Sequence, residues 1–279
     1  MSRRVCIVTG ANSGIGKETA RGLARLGATV VLACRSRERG EAARREIHSE
    51  TDNPNLSVME LDLASQASVR SFAKAFAAAH PQLHVLVNNA GIYAARRRLT
   101  VDGIESTFAV NYLSHFLLTN LLLEALRRSA PSRIVSVSSE ANQMGTIEFD
   151  DLGRARRWSG LRAYAQSKLA QVLFTFELSP RLRGTGVTAN CVHPGGVRTN
   201  WARGGGLMRV GYWLAWPFLL SPAAGADTVL YAASSPDVNG VSGEYFIKRK
   251  PADPNPIARD PDVARRLWDI SESLTRGKT

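Results

Sequence analysis

An apolar run at residues 5–9, Val-Cys-Ile-Val-Thr, leads directly into a segment with three glycines, Gly10, Gly14 and Gly16. Apolar residues then recur at helical spacing over 15–26, which predicts a strand, a tight turn and a helix. The free N–H groups at such a helix start can bind the pyrophosphate of a dinucleotide. The predicted pyrophosphate site also includes Asn12, Ser13 and Ile15. An ordinary glycine-rich turn is the alternative interpretation, and a nucleoside triphosphate loop is excluded because no Gly-Lys-Ser/Thr follows at the required spacing.

The rest of the chain alternates between short apolar runs and longer helical patterns. The predicted strands are 5–9, 29–33, 56–61, 84–88, 133–137, 187–192 and 244–247, and the predicted helices are 15–26, 37–49, 65–79, 101–128, 162–183, 221–233 and 260–274. This alternation predicts β-α-β crossovers and a parallel sheet covered by helices on both faces. With no linker composition along the chain, we expect residues 1–279 to form a single α/β domain.

Composition narrows the classes of function. The chain carries 36 Lys and Arg against 24 Asp and Glu, a formal net charge of +12. The arginines are scattered in short groups, so we expect solvated helix faces and no nucleic-acid site. The three cysteines lack metal or disulfide spacing, so we expect no metal and a reducing, cytoplasmic location. The first strand leaves no room for a signal peptide, and no apolar run is long enough to span a membrane.

The end of the second predicted strand indicates which dinucleotide binds. A site that prefers NAD(H) has a carboxylate there for the ribose diol, whereas this chain has Arg35, whose guanidinium suits a 2′-phosphate. Lys17 is expected to add charge on the same side. NADP(H) is therefore the favoured cofactor and NAD(H) the less favoured one, and an ordinary surface arginine is the alternative reading of Arg35.

Two further strand ends predict contacts to the same ligand. Asp62 can accept a hydrogen bond from an adenine amino group beside Leu63, or it can cap the following turn, and the sequence does not decide between them. Asn89, Ala90 and Gly91 end the fourth strand with small or amide side chains. Residues of these types allow a cofactor to lie against the edge of the sheet.

A tyrosine and a lysine lie four residues apart in the helix predicted after the fifth strand. Tyr164 and Lys168 are the only such pair in the chain and share one helix face. A nearby ammonium and a cationic nicotinamide both favour phenolate, so we expect the pKa of Tyr164 to be lowered and the phenol to exchange a proton with a substrate oxygen. An exposed Tyr beside a surface Lys is the alternative. The serines at 136, 138 and 139 close the fifth strand, and a hydroxyl of any one of them can hold that oxygen. Asn111 lies mid-helix, where Asn is a poor helix former and indicates a kink, a bound water or a tolerated polar position.

These motifs together resemble the short-chain dehydrogenase/reductase family, and within it the retinol dehydrogenase and carbonyl reductase branch. The matching segments are 9–16, 62–63, 88–91, Asn111, 138–139, Tyr164 with Lys168, and 194–195, with branch-specific similarity at 16–20, 32–36, 167–170, 193–199, 242–246 and 267–268.

The resemblance implies a Rossmann-type doubly wound sheet of about seven strands. It implies a catalytic tetrad of Asn111, Ser139, Tyr164 and Lys168, in which Tyr164 is the acid/base and Asn111 supports a water relay. It also implies that Pro194, Gly195, Val197 and Thr199 contact the nicotinamide end, that the end of the second strand goes with NADP, and that a homodimer forms through helices 101–128 and 162–183.

The apolar segment 201–221 is predicted to cover the substrate. Its composition favours a lipophilic aldehyde, ketone or alcohol as substrate, and a membrane-surface or dimer patch is the alternative. Membrane-bound members of the branch carry an apolar N-terminal anchor, whereas this chain begins close to its first strand. We therefore expect at most peripheral membrane contact. The functional expectation is an NADP(H)-dependent oxidoreductase for such substrates, with a non-catalytic cofactor-binding scaffold or redox sensor as the alternative.

Overall fold

The computed structural model describes residues 1–197 and 219–276 and forms one eight-stranded sheet flanked by helices. The strands are β1 (Val5–Thr9), β2 (Thr29–Cys34), β3 (Leu56–Glu60), β4 (Val85–Asn88), β5 (Ser132–Val137), β6 (Val187–His193), β7 (Tyr245–Ile247) and β8 (Lys250–Pro251). The helices are α1 (Gly14–Arg25), α2 (Arg37–Thr51), α3 (Gln66–Ala79), α4 (Ser106–Phe108), α5 (Ser114–Arg128), α6 (Gly160–Arg181), α7 (Pro222–Ser234) and α8 (Pro261–Thr275).

The sheet has the strand order β3-β2-β1-β4-β5-β6-β7-β8, and the first seven strands are parallel. The predicted α/β class and Rossmann-type sheet are confirmed. The chain reverses its direction of winding between β1 and β4, so a crevice opens there at the carboxyl ends of the strands, where this type of fold binds its ligands.

Alternation along the strands divides the core into two layers. Ile7 and Leu86 face one apolar cluster, which contains Phe116, whereas the neighbouring residues Val8 and Val87 face the other. Helices α3, α5 and α6 supply the first cluster, and α1, α2 and α7 supply the second. Because both faces are covered, strands β1, β2 and β4 are almost entirely apolar, and this explains the continuous apolar runs in the sequence.

Two predicted elements differ from the structure. The predicted sheet lacks β8, a two-residue strand antiparallel to β7 that is too short to show periodicity. The helix expected over 101–128 begins at Ser106, because the Glu105 carboxylate caps it by accepting from the N–H groups of Thr107 (2.7 Å) and Phe108 (2.8 Å). The preceding turn leaves Val101 84% exposed.

The same helix is interrupted by a π-helical turn, Ala109–Leu113, that separates α4 from α5. Asn111 lies in the middle of this turn and is fully buried. Of the alternatives for this residue, the structure therefore supports the backbone irregularity. Such turns carry one extra residue and are frequent at functional sites.

Candidate active site

A cleft of about 1410 Å³ runs along the carboxyl ends of strands β1 to β6. Nearly all of the predicted site residues line it: Gly10, Asn12, Ser13, Gly14, Ile15, Gly16, Arg35, Asp62, Leu63, Asn89, Ala90, Gly91, Ser139, Tyr164, Lys168, Pro194, Gly195 and Val197. Asn111 lies behind this lining. Thr199 and most of the predicted covering segment, residues 201–218, lie outside the described residues.

The glycine turn requires its glycines for steric reasons. Gly10 and Gly14 have φ values of +68° and +56°, a region that side chains rarely adopt. A Cβ on Gly16 would lie 2.5 Å from both the Gly10 carbonyl oxygen and the Asn89 Nδ2 atom. The turn and the end of β4 therefore pack backbone against backbone, with Asn89 Nδ2 donating to the Thr9 carbonyl (2.8 Å).

The start of α1 is open toward the cleft. Ser13 is extended at the N-cap, and its side chain makes no capping hydrogen bond. The first N–H groups of an α-helix have no partner within the helix, so those of α1 are available to an anion. A shallow glycine cradle and free helix N–H groups fit the pyrophosphate of a dinucleotide.

A buried hydroxyl joins the two turns that form the crevice, and the sequence analysis did not identify it. Thr9 Oγ1 accepts from the backbone N–H groups of Asn89 (2.9 Å) and Ala90 (3.0 Å) and lies 3.0 Å from His115 Nε2. His115 Nδ1 donates to the Asn111 carbonyl (3.0 Å), so Nε2 is the acceptor for Thr9. Burial lowers the pKa of His115 to about 4, which keeps the imidazole neutral at pH 7.

Arginines and no carboxylate follow β2 at the cleft wall. Arg35 and Arg39 both line the cleft, and neither forms a salt bridge or a hydrogen bond through its guanidinium with another described residue. Arg39 was missed in the sequence, although its spacing from Arg35 at the start of α2 is helical. The expectation for Lys17 is wrong: its ammonium is paired with Glu46 of α2 (2.7 Å), away from the cleft lining.

Asp62 and Leu63 lie together on the cleft wall beyond β3. The Asp62 Oδ1 atom accepts from the Ala64 N–H group (2.9 Å), which is the turn-capping role considered above. One carboxylate oxygen is thus used within the turn. The position on the cleft wall also leaves the adenine role open.

At the other end of the cleft, a hydrogen bond joins the Tyr164 hydroxyl to the Ser139 side chain. The three serines are thereby distinguished, because Ser138 Oγ instead donates to the Lys168 backbone carbonyl (2.8 Å) and Ser136 is buried within β5. The Lys168 Nζ atom lies 5.6 Å from the centroid of the Tyr164 ring.

Burial controls the protonation of both groups. Loss of hydration raises the pKa of the half-buried Tyr164 to about 12, and the hydrogen bond from Ser139 opposes this shift. Lys168 alone therefore does not lower the pKa of Tyr164, since desolvation is the larger effect, and the expected contribution of a cationic nicotinamide stays a prediction. Burial also lowers the pKa of Lys168 to about 8. At neutral pH the site thus contains a protonated phenol beside an ammonium.

Hydrogen bonds hold the Asn111 side chain against the loop after β4. Its Oδ1 atom accepts from the Ile92 N–H group (2.7 Å), and its Nδ2 atom donates to the Ile92 carbonyl (3.0 Å) and to Ser167 Oγ (3.0 Å). A Cβ on Gly91 would lie 3.4 Å from Asn111 Oδ1 and 3.6 Å from Lys168 Nζ, so all three residues meet at the cleft floor. The structure places Asn111 beside the lysine, while the water relay stays a prediction.

Apolar and aromatic side chains also line the cleft. They include Tyr93, Ala141, Leu161 and Leu219, and the loop that follows Tyr93 brings Arg96 and Arg98 to the same lining. The Tyr93 ring packs against that of Tyr164, with centroids 6.1 Å apart. Leu219 belongs to the segment 201–221 that was predicted to cover the substrate. Tyr93, Ala141 and Leu161 were not singled out in sequence, since they lie on separate parts of the chain that carry no shared motif.

The described residues also bear on metal binding and on membrane insertion. Within residues 1–197 and 219–276, no group of three or more His, Cys, Asp or Glu side chains is placed to hold a metal ion. Among the helices of that same part of the chain, none combines the length and the apolar character needed to cross a bilayer.

Comparison with known proteins gives the family. The sequence profile of the short chain dehydrogenase family matches residues 4–205. Human (Homo sapiens) retinol dehydrogenase 11 is 47% identical over 271 residues, covering 97% of this chain and 85% of the relative. The crystal structure of an uncharacterised protein from Mycobacterium Paratuberculosis superposes with a TM-score of 0.80 at 38% identity, covering 98% of this chain and 94% of that chain.

A short chain dehydrogenase from Escherichia coli CFT073, solved in complex with NADPH, superposes with a TM-score of 0.70 at 27% identity, covering 88% of this chain and 96% of that one. The chain therefore belongs to the short-chain dehydrogenase/reductase family, a family of oxidoreductases. Within that family it falls in the retinol dehydrogenase branch.

Proposed function

We propose that this protein is an NADP(H)-dependent oxidoreductase that interconverts a lipophilic alcohol and its aldehyde or ketone, with Tyr164 as the acid/base. One observation carries the proposal: the Tyr164 hydroxyl is hydrogen-bonded to Ser139, with the Lys168 ammonium beside the ring, at one end of a cleft whose other end is a glycine cradle.

The residues along the cleft fit NADP(H). The α1 N-terminus would hold the pyrophosphate, and Arg35 and Arg39 would bind a 2′-phosphate, since guanidinium groups bind phosphate through paired N–H donors. The NADPH complex of the Escherichia coli relative supports this choice of cofactor. When bound, the nicotinamide supplies a hydride to the carbon of the substrate carbonyl.

Ser139, Tyr164 and Lys168 carry out the proton transfer. Ser139 orients the substrate oxygen next to Tyr164, and Tyr164 donates a proton to that oxygen as the alcohol forms. A phenol whose pKa lies near 12 stays protonated at neutral pH, so the site is prepared for the reductive direction. Lys168 carries its positive charge below about pH 8 and stabilises negative charge that develops on the phenol oxygen during transfer.

The apolar side chains in the cleft lining support the proposed substrate class. Leu161, Leu219 and the Tyr93 ring offer apolar surface next to the reacting position. Burial of apolar surface contributes roughly 25 cal/mol per Å², so a lipophilic chain or ring binds there in preference to a polar one. The retinol dehydrogenase relatives support an apolar alcohol or aldehyde, with retinoids as one member of that class.

The decisive experiment compares two tyrosine variants. Consumption of NADPH is measured with a panel of apolar aldehydes and ketones for the wild type, Tyr164→Phe and Tyr231→Phe. Tyr231 is the matched control because it packs on Phe246, with ring centroids 5.9 Å apart, away from the cleft lining. We expect Tyr164→Phe to lose at least about 100-fold in kcat and Tyr231→Phe to retain activity. Tight NADPH binding with no turnover of any carbonyl by the wild type would instead establish the scaffold or redox sensor.

A further inference from the structure

Gln171 lies directly behind the catalytic lysine. It follows Lys168 by three residues on α6, and its side-chain amide is 2.8 Å from the Lys168 Nζ atom. Both residues are buried, with Lys168 3% and Gln171 1% exposed. Because an ammonium can only donate, the amide atom that faces it is the oxygen, Oε1.

The ammonium has three N–H donors, and described residues of the protein engage two of them. One bonds to the Val137 carbonyl at the end of β5 (2.9 Å) and one to Gln171 Oε1 (2.8 Å). These two acceptors hold Nζ between the sheet and α6. One donor is left for the cleft floor, where a Cβ on Gly91 would lie 3.6 Å from Nζ.

The other half of the Gln171 amide makes no such contact. Its Nε2 atom is buried and has no hydrogen-bond partner among the described residues. An unpaired buried N–H group opposes folding, so an apolar side chain would fill this space at lower cost. The contribution of Gln171 therefore lies in its oxygen.

The titratable groups around Lys168 offer no opposite charge at neutral pH. Burial raises the pKa of Cys191 and Tyr164, each to about 12, and lowers the pKa of His115 to about 4 and that of His193 below its usual range. All four are therefore neutral near pH 7. No carboxylate in the described part of the chain forms a salt bridge with Lys168, so neutral oxygens must stabilise its charge.

We propose that Gln171 is a positioning residue that holds the Lys168 ammonium at the cleft floor and stabilises its charged form. A hydrogen bond to the charged form of a group favours that form, so the effect is greatest where burial disfavours the charge. The catalytic consequence rests on the proposed function above, whereas the effect on Lys168 itself does not.

The first test measures the titration of Lys168 directly. The chain has six lysines, so ¹³Cε-labelled lysine gives a simple NMR spectrum in which the Lys168 signal is assigned by its loss in Lys168→Arg. We expect a midpoint near pH 8 in the wild type. In Gln171→Met it should fall by about one pH unit or more, a roughly tenfold loss of proton affinity. In Gln171→Glu, which keeps an acceptor and adds a negative charge, it should rise.

Gln166→Met is the matched control. Gln166 is an equally buried glutamine on α6, and its amide bonds to the Leu152 carbonyl (2.8 Å) and the Glu148 N–H group (3.2 Å), not to Lys168. This variant should leave the Lys168 midpoint unchanged. A wild-type midpoint in Gln171→Met would overturn the proposal. If Gln171→Met does not fold, Gln171→Glu decides, because an unchanged midpoint there overturns it equally.

The second test is kinetic and separates this proposal from the proposed function. At about pH 8, Gln171→Met should lose roughly fivefold in kcat for carbonyl reduction with little change in KM for the carbonyl, because the charged fraction of Lys168 falls from about one half to about one eleventh. If the wild type turns over no carbonyl while the Lys168 midpoint still shifts, the proposed function fails and the role of Gln171 stands. If the wild type is active and neither the midpoint nor kcat responds to Gln171→Met, the role of Gln171 fails alone.

Discussion

Replacement of Gly16 by alanine tests whether close packing of the glycine turn against β4 sets cofactor affinity. The new Cβ would lie 2.5 Å from the Gly10 carbonyl oxygen and from Asn89 Nδ2. The first of these is backbone, and the second is held by its hydrogen bond to the Thr9 carbonyl. Neither can turn aside, so the start of α1 must move away from the turn.

The expected change in the free energy of unfolding is the difference between two opposing effects. Alanine favours a helix over glycine by about 1 kcal/mol, and overpacking costs about 1–3 kcal/mol. We therefore expect the free energy of unfolding to fall by about 1 kcal/mol. Displacement of the free N–H groups from the phosphate position should reduce NADPH affinity at least about tenfold, which corresponds to about 1.4 kcal/mol.

Gly22→Ala is the matched control on the same helix. The three atoms nearest to its Cβ would all belong to the side chain of Leu230, which can adopt another rotamer, and Gly22 does not line the cleft. Urea denaturation gives stability, and quenching of tryptophan fluorescence gives the NADPH dissociation constant. If Gly16→Ala binds NADPH as tightly as Gly22→Ala does, the steric reasoning about this turn is refuted.

Three further predictions concern charge. Arg35→Asp should weaken NADPH binding by about 10- to 100-fold and leave NADH binding nearly unchanged, because a charged hydrogen bond from the guanidinium to the 2′-phosphate contributes about 1.5–3 kcal/mol. Equal loss of affinity for both cofactors in a binding titration would contradict the 2′-phosphate role of Arg35. Carbonyl reduction should be fastest below pH 8 and should decline as the pH rises through about 8, because Lys168 then loses its proton while Tyr164, with a pKa near 12, keeps its own. Initial rates measured at saturating NADPH between about pH 6 and pH 10 test this prediction, and a flat pH profile would count against a charged Lys168. The pKa of His115 is about 4 in the folded protein and near 6.5 in the unfolded chain, so the unfolded state binds more protons between these pH values. The free energy of unfolding should therefore fall by up to about 3 kcal/mol as the pH drops from 6.5 to 4. Urea titrations at several pH values should show a smaller fall for His115→Gln than for His48→Gln, and equal slopes would refute the assignment.

The features that could be predicted from sequence are those set by local pattern. The seven parallel strands follow from apolar runs that are buried on both faces, and the glycine turn follows from three residues with fixed spacing. Helix boundaries were less accurate where a side chain decides them, as Glu105 does by capping α4.

The errors at the site have a common physical cause, namely contacts between residues distant in sequence. Lys17 is paired with Glu46, 29 residues later, and nothing in the local pattern of either residue indicates this. The pKa of Tyr164 rises because the folded chain removes water from its hydroxyl, an effect that depends on burial and not on residue spacing. Gln171 could have been found, since residues three apart on a helix are neighbours, but the direction of its amide required the structure.

The π-helical turn at Ala109–Leu113 absorbs one extra residue within about one helical turn. The segments on either side of it therefore keep nearly the angular relation that they would have in an unbroken α-helix. Asn111 owes its position to this local widening, from which its amide reaches Ile92 and Ser167. Deleting one residue from the turn would restore regular α-helical winding with little rotation of the flanking segments, so the damage should fall on the contacts of Asn111 and not on the packing of α5.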